Sequence, residues 1–305
     1  MVICAYSLDR WQDLREAITS LQQQTVAPRE IIVVIDHNDD LLALAGKTFP
    51  EIMVMPNRGT RGLSGARNTG VTAASGDVVA FLDDDARAAP TWLEHFREHY
   101  RRADVLGVGG AVLPDWAGGR KPSWFPAEFL WVVGCSYRGQ PTSLQRVRNL
   151  IGANMSSRRD ALRAAGPFRE GIGRVGLRPM GCEETELGIR VLNAFPAEQV
   201  LYDPAAIVWH RVPRSRMGPR YFLQRCYAEG LSKALVAQLV GQQRGLSSER
   251  AYTFRVLPRG VLVGLRVGVS GRIGGFGRAA AIVTGLAATT LGYVVGRLRP
   301  QALPA

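Results

Sequence analysis

Over the first hundred or so residues, short apolar runs alternate with segments whose apolar positions recur at helical spacing. Residues 2–5, 30–35, 52–55, 78–82 and 105–112 read as strands. Between them, residues 11–24 carry Leu14, Ile18 and Leu21 on one helical stripe, and 64–74 and 90–102 also read as helices, with Pro90 suited to a first turn. This alternation predicts an α/β fold with a parallel sheet and right-handed crossovers. Residues 114–149 are rich in Pro, Gly and Trp, show no period and predict a loop-rich insertion; helical spacing returns at 158–165 and 182–195.

The run 78–82 ends abruptly in Asp83, Asp84 and Asp85. A buried strand cannot continue into three adjacent carboxylates without a partner, so the triplet is expected at the strand's carboxyl end beside a cation. That edge is where open α/β sheets bind ligands. The first strand ends in Ala5, Tyr6 and Ser7 and the second in Asp36, His37, Asn38 and Asp39, which brings polar groups from three strands to one edge. The Gly-rich stretch 58–68 precedes a helix and offers backbone N–H groups and Arg67 to phosphate oxygens. A dinucleotide fingerprint is excluded: the glycines at 107, 109 and 110 lack the final member, no such motif follows the first strand, and no Walker loop is present.

Charge divides the chain. Lys and Arg number 38 against 26 Asp and Glu, but 15 of the basic residues lie from Ile207 onward, facing only Glu229 and Glu249. Within that basic region, 254–269 is apolar yet carries Arg255, Arg259 and Arg266 roughly on one helical face, and 279–296 is 18 residues without a charge. The pattern fits helices on an anionic membrane surface, where each basic residue contributes about 1 kcal/mol; a soluble helical tail with a solvated basic face is the competing reading. No aromatic-basic module is present, so no nucleic-acid partner is expected. The four cysteines are scattered without a C-x-x-C pair, against a zinc cluster or disulfide framework. With 305 residues, 46% of them apolar, the chain has enough material for a large core. Strand-like sequence begins almost at once, so no signal peptide and a cytosolic amino-terminal part are expected.

Together these residues resemble a family 2 glycosyltransferase of the GT-A fold over residues 2–212. The likeness rests on residues 2–6, Asp36, Ala66-Arg67-Asn68-Thr69-Gly70, Ala74-Ser75-Gly76-Asp77, Asp83-Asp84-Asp85, Gly152-Ala153-Asn154-Met155 and Cys182-Glu183-Glu184-Thr185-Glu186-Leu187, in family order. It implies a nucleotide-diphosphate sugar donor, a divalent metal (Mg2+ or Mn2+) and transfer with inversion. Asp36 would then bind the nucleotide base in a pocket shaped by Ala5 and Tyr6, with Arg67, Asn68, Asp83, Asp84 and Asn154 completing the donor set. Asp83, Asp85 and His210 would hold the metal. Hard carboxylate oxygens suit such ions.

The base is argued from helical geometry. A helix starting near Cys182 places Glu184, Leu187, Val191 and Phe195 on one stripe and Glu183 and Glu186 on a neighbouring face, so Glu184 is the expected base and Glu183 the alternative. The family commonly has Asp at the second position, and Glu here adds a methylene. Residues 1–212 are expected to form the catalytic domain and 213–305 a basic helical region containing 254–269 and 279–296. The tail is similar to family members acting on dolichyl- or polyprenyl-phosphate-linked sugars, while Gln224-Arg225-Cys226-Tyr227 does not supply the Q-x-x-R-W signature of processive synthases. The expected activity is a single transfer to a lipid-linked or cell-envelope hydroxyl at the cytoplasmic face of a membrane. A soluble acceptor and a non-catalytic nucleotide-sugar-binding scaffold are the alternatives.

Overall fold

A computed structural model describes residues 1–173, 180–241 and 251–298 of the chain. Four parallel strands form one half of its sheet: β1 (Val2–Ala5), β2 (Ile32–Ile35), β3 (Met53–Pro56) and β4 (Val78–Asp83), in the order β3-β2-β1-β4. The sheet then turns mixed. Next to β4 runs antiparallel β8 (Asn154–Arg158), then β6 (Val105–Trp116), β9 (Gln199–Val212) and β5 (Ala86–Ala88), while β7 (Gln145–Arg146) pairs with β9. The expectation of a mostly parallel sheet therefore holds: β6 and β9 run in the same sense as β1–β4, and β5, β7 and β8 run against them. β8 reverses the sense because it enters from the insertion after β6 instead of through a helical crossover.

The helices cover both faces. On one, α1 (Trp11–Gln22), α2 (Asp39–Thr48) and α4 (Trp92–Tyr100) bury Leu14, Ile18, Leu21, Leu41, Trp92 and Phe96 against Ile3, Val33, Leu82 and Val108. On the other, α3 (Leu63–Ala73), α5 (Arg159–Ala165) and α6 (Glu183–Ala194) pack Ala66, Leu162, Leu187 and Val191 against Val2, Val34 and Phe81. α4 begins two residues after Pro90, whose carbonyl instead accepts from the Thr25 N–H at 2.8 Å. α2 has a capping signal that the reading of the sequence passed over: the Asn38 side chain accepts from the Leu41 N–H at 2.9 Å.

The insertion is not all loop. β6 extends into it as far as Trp116, and a 3-10 stretch spans Ala127–Val133. Its Phe125, Phe129 and Val132 form a third core with Phe222 and Cys226 of α7 (Pro219–Val240), Leu257 of α8 (Leu257–Val269) and Ile282 of α9 (Gly274–Leu298). A π-helical turn, Tyr252–Val256, leads into α8. α7 and α9 touch through backbone: a Cβ at Gly230 would lie 2.1 Å from the Thr289 carbonyl oxygen, and one at Gly292 would lie 2.1 Å from that of Tyr227. Glycine is needed at both places because no side chain fits that approach.

The outer surface of the last two helices is apolar and basic at once. Phe254, Leu262, Val269, Ile273, Val283, Leu291 and Leu298 are exposed, and so are Arg255, Arg259 and Arg266. Among the described residues α9 alone is long and apolar enough to cross a membrane, with a mean hydropathy of 1.6.

Candidate active site

The carboxyl ends of β1, β2 and β4 open into one cavity of about 880 Å³. It is lined by Ala5, Tyr6, Asp36, Asp83, Asp84 and Asp85 on the sheet edge, by Glu183 and Glu184 at the start of α6, and by His210 at the end of β9. This edge lies where the strand order reverses, since β1 is flanked by β2 on one side and by β4 on the other. Most of the residues singled out in the sequence therefore meet at one place.

Strand pairing explains how His210 reaches the acidic triplet from 125 residues away in sequence. β5, which follows Asp85 directly, pairs antiparallel with β9 so that Ala86 faces His210, and the Arg211 N–H donates to the Asp85 carbonyl at 2.8 Å. His210 Nε2 then lies 3.1 Å from Asp85 Oδ1. Asp85 Oδ2 is 3.2 Å from Arg10 and 3.6 Å from Arg216. Burial alone would raise Asp85, but His210, Arg10 and Arg216 outweigh it and hold its carboxyl far below the usual carboxylate range. Burial would likewise lower His210, yet Asp85 overrides it and pushes the imidazole up to about 10.

Asp84 behaves differently. One of its oxygens accepts from Arg10 at 2.7 Å, the other is buried without a hydrogen-bond partner, and burial pushes its carboxyl up to about 7. Arg10 was not foreseen. Nothing in its local sequence marks it, and only the general need of buried carboxylates for a cation points to such a residue.

One ligand atom each from Asp83, Asp85 and His210 lies within 4.8 Å of the others. Two carboxylate oxygens and one imidazole nitrogen suit Mg2+ or Mn2+, and three protein ligands leave positions for substrate oxygens. The set fits such an ion provided His210 gives up its proton, which couples binding to pH.

Three residues assigned to the donor have other tasks. Arg67 is 2% exposed and does not present a free guanidinium to phosphate: it donates to Glu183 at 2.9 Å and to the Gly152 carbonyl at 3.3 Å, approaches Asp83 at 3.5 Å, and sits against the rings of Phe81 and Phe168. Asn68 points away from the cavity and clamps the Phe168 backbone through two bonds of 2.9 and 2.8 Å. Asn154 is fully buried, donating to the Ala111 and Ala206 carbonyls and accepting from the Trp92 indole N–H. Full satisfaction inside the sheet leaves it nothing to offer a ligand. Asp36 lines the cavity, but its two oxygens also accept from Asn57 at 2.7 Å and from the Gly62 N–H at 2.9 Å, which ties the Gly-rich loop to β2.

On α6 the expected stripe forms, with Leu187, Val191 and Phe195 against the core. Glu183 and Glu186 are both buried and paired, Glu183 with Arg67 and Glu186 with Arg169 and Arg190. Glu184 is less buried than Glu183 and faces the cavity; burial, then the charge of Glu183, push its carboxyl up to about 8. Cys182 stands at the cap position just before α6, and its φ of 73° is unusual for a residue with a side chain. Its thiol donates to Glu229 of α7 at 3.3 Å, and the Gly181 N–H donates to Ser232 at 3.1 Å, so α7 holds the start of α6 in place. Of the basic residues after β9, Arg216 lines the cavity, whereas Arg214 is exposed and does not.

A mixed sheet with a polar edge where the strand order reverses, a carboxylate–imidazole cluster there and a carboxylate on the facing helix is the architecture of a glycosyltransferase of the GT-A fold. The chain belongs to glycosyl transferase family 2, whose family model matches residues 1–166. It is 35% identical to the glucosyl-dolichyl phosphate glucuronosyltransferase of Haloferax volcanii over 246 residues, 79% of this chain and 78% of that one. It is 26% identical to the succinoglycan biosynthesis protein ExoM of Rhizobium meliloti, covering 82% of each chain. In fold it is similar to the mannosyltransferase PcManGT of Pyrobaculum calidifontis, solved in complex with GDP-Man and Mn2+, with a TM-score of 0.57 at 14% identity over 94% of this chain and 86% of the other.

Proposed function

We propose that the protein is a metal-dependent, inverting transferase that moves one sugar from a nucleoside-diphosphate donor to a hydroxyl of a polyprenyl- or dolichyl-phosphate-linked acceptor at a membrane surface. The observation that carries this reading is the single cavity with Asp83, Asp85 and His210 toward the sheet edge and Glu184 on the helix beside it. Ala5, Tyr6 and Asp36 line the part suited to a nucleoside. Asp83, Asp85 and His210 would hold Mg2+ or Mn2+, which when bound neutralises charge on the departing diphosphate. Arg10 and Arg216 keep the Asp84–Asp85 turn in place and add positive charge on the same side. Glu184, ionised, accepts the proton of the acceptor hydroxyl as its oxygen attacks the anomeric carbon from the face opposite the leaving group.

The acceptor class is supported by the Haloferax relative, which by its name uses a dolichyl phosphate carrying glucose. It is also supported by the mixed apolar and basic surface of α8 and α9, where exposed arginines lie among exposed apolar side chains as on an interfacial helix. The test is a panel of nucleotide sugars, read by nucleoside-diphosphate release with a polyprenyl-phosphoryl sugar or a soluble glycoside as acceptor. Release should need Mn2+ or Mg2+, be stimulated by the lipid-linked acceptor, and vanish in Asp85→Ala together with metal-dependent donor binding. Full turnover in excess chelator sinks the metal assignment. Stimulation by the soluble glycoside alone sinks the lipid acceptor.

A further inference from the structure

Beyond Glu184 the cavity continues to a wall built by α7, α9 and the turn before α8. On α7, Tyr221, Arg225, Glu229 and Lys233 recur every four residues, and all four line the cavity. Arg225 is 8% exposed, and its Nη1 donates to Glu229 at 2.9 Å. Lys233 lies 3.5 Å from the other oxygen of Glu229. The Arg225 Nε–H is buried with no hydrogen-bond partner. Buried guanidinium donors are ordinarily used, and one left unused in the lining of a cavity points to an anion that binds there.

At the sheet edge Arg10, His210 and Arg216 pair with Asp84 or Asp85, and Arg216 also keeps a buried Nη1 without a hydrogen-bond partner beside the metal cluster. The row on α7 is a second cationic centre with its own carboxylate, Glu229, and it lies close to the candidate base: both Glu229 and Lys233 act electrostatically on Cys182 next to α6, and Glu229 acts on Glu184. Across from the row, α9 contributes Leu286, Thr289, Thr290 and Tyr293 to the lining. These positions share one helical face, and the neighbouring face of α9 carries the exposed Val283, Leu291, Val294 and Leu298. One helix thus has a cavity side and, next to it, an outward apolar side.

We infer that Arg225 and Lys233 seat the phosphate of the acceptor lipid, whose polyprenyl chain leaves along α9 toward the outer apolar surface. This rests on the acceptor class proposed above and assigns it a binding place. Glu229 holds both cations while the seat is empty. Phosphate oxygens would then accept from the unused Arg225 Nε–H and from the Lys233 ammonium, and the planar guanidinium suits a phosphate in a way that glutamine cannot reproduce.

The experiment measures binding to the full chain in detergent with three probes: farnesyl monophosphate, farnesol, and a nucleoside diphosphate with Mn2+. The wild type is expected to bind farnesyl monophosphate more tightly than farnesol. Arg225→Gln should weaken the phosphorylated lipid by about ten- to a hundredfold and leave the other two probes unchanged. Lys233→Met should show the same selectivity at about tenfold, and it decides the matter if Arg225→Gln fails to fold. Equal affinity of the wild type for farnesyl monophosphate and farnesol overturns the inference. So does an equal loss of nucleoside-diphosphate binding in the variants, which would assign the row to the donor. These outcomes need no turnover, so they stay distinct from failure of the proposed function, which appears as absence of transfer to a polyprenyl-phosphoryl sugar.

Discussion

Glu184 offers the sharpest test of the catalytic reading, because burial and then the neighbouring Glu183 push its carboxyl up to about 8. A general base works only when ionised, so kcat/KM should climb with pH and level off above about 8. A group with that pKa is roughly one-tenth ionised at about pH 7 and one-hundredth at about pH 6, which makes the slope tenfold per pH unit. Glu183→Gln tests the cause. The amide keeps an oxygen to accept from Arg67, now 2.9 Å from the carboxylate, but removes the negative charge. Repulsion on Glu184 falls and the Arg67 cation is less compensated; both changes favour the ionised form, so the limb should move to lower pH. The assay is nucleoside-diphosphate release under kcat/KM conditions across about pH 5.5 to 9.5 at constant ionic strength. A limb that stays at the same pH in Glu183→Gln, or that persists in Glu184→Gln, refutes the assignment. Stability carries the same signature. Between the ordinary glutamate value of 4.5 and about 8, the folded protein keeps a proton that the unfolded chain has lost. Raising the pH through that window therefore destabilises the fold, by at most about 1.4 kcal/mol per unit and less where cavity water screens the charge. Glu184→Gln should accordingly raise Tm more at about pH 9 than at about pH 5.

Asn154→Ala should act on stability and not on chemistry: it orphans the Trp92 indole N–H and the Ala111 and Ala206 carbonyls inside the sheet. At about 1–3 kcal/mol for each of the three unsatisfied groups, a loss of at least about 3 kcal/mol is expected in denaturant unfolding; unchanged stability with abolished transfer would restore a ligand-binding role. Reversing charge at Arg259 and Arg266, both exposed on α8, should weaken sedimentation with anionic vesicles by at least about thirtyfold, with the effect shrinking in high salt. Unaltered partitioning would remove the anionic surface as a partner.

The strands legible in the sequence are those whose side chains are apolar on both faces, as parallel strands covered by helices must be. β8 escaped because its sequence, Asn-Met-Ser-Ser-Arg, is largely polar. Its polar groups are nevertheless satisfied within the sheet, Ser156 on the Val108 carbonyl and Ser157 on that of Leu106. β9 escaped because Asp203 and Pro204 interrupt its pattern while the strand continues past them. That miss matters for the site. The pairing of β9 with β5 is what brings His210 to Asp85, so local sequence alone could not place the histidine, and only the family likeness singled it out.

The same limit explains Arg67, Asn68 and Asn154. A motif marks residues that a site needs, but it does not separate a side chain that meets the ligand from one that holds the frame around it. Arg67 is the clearest case. From inside the core it contacts Asp83 of the carboxylate–imidazole cluster and Glu183 next to Glu184, binding the two parts of the cavity wall through one buried cation. This also bears on the choice the helical pattern left open between the first two glutamates of α6. Glu183 is committed to Arg67, whose guanidinium donates to it at 2.9 Å. Glu184 is aimed at the cavity with its affinity for protons raised, which is the condition a base near neutral pH requires. The geometry therefore favours the residue that faces the cavity over the one paired with Arg67.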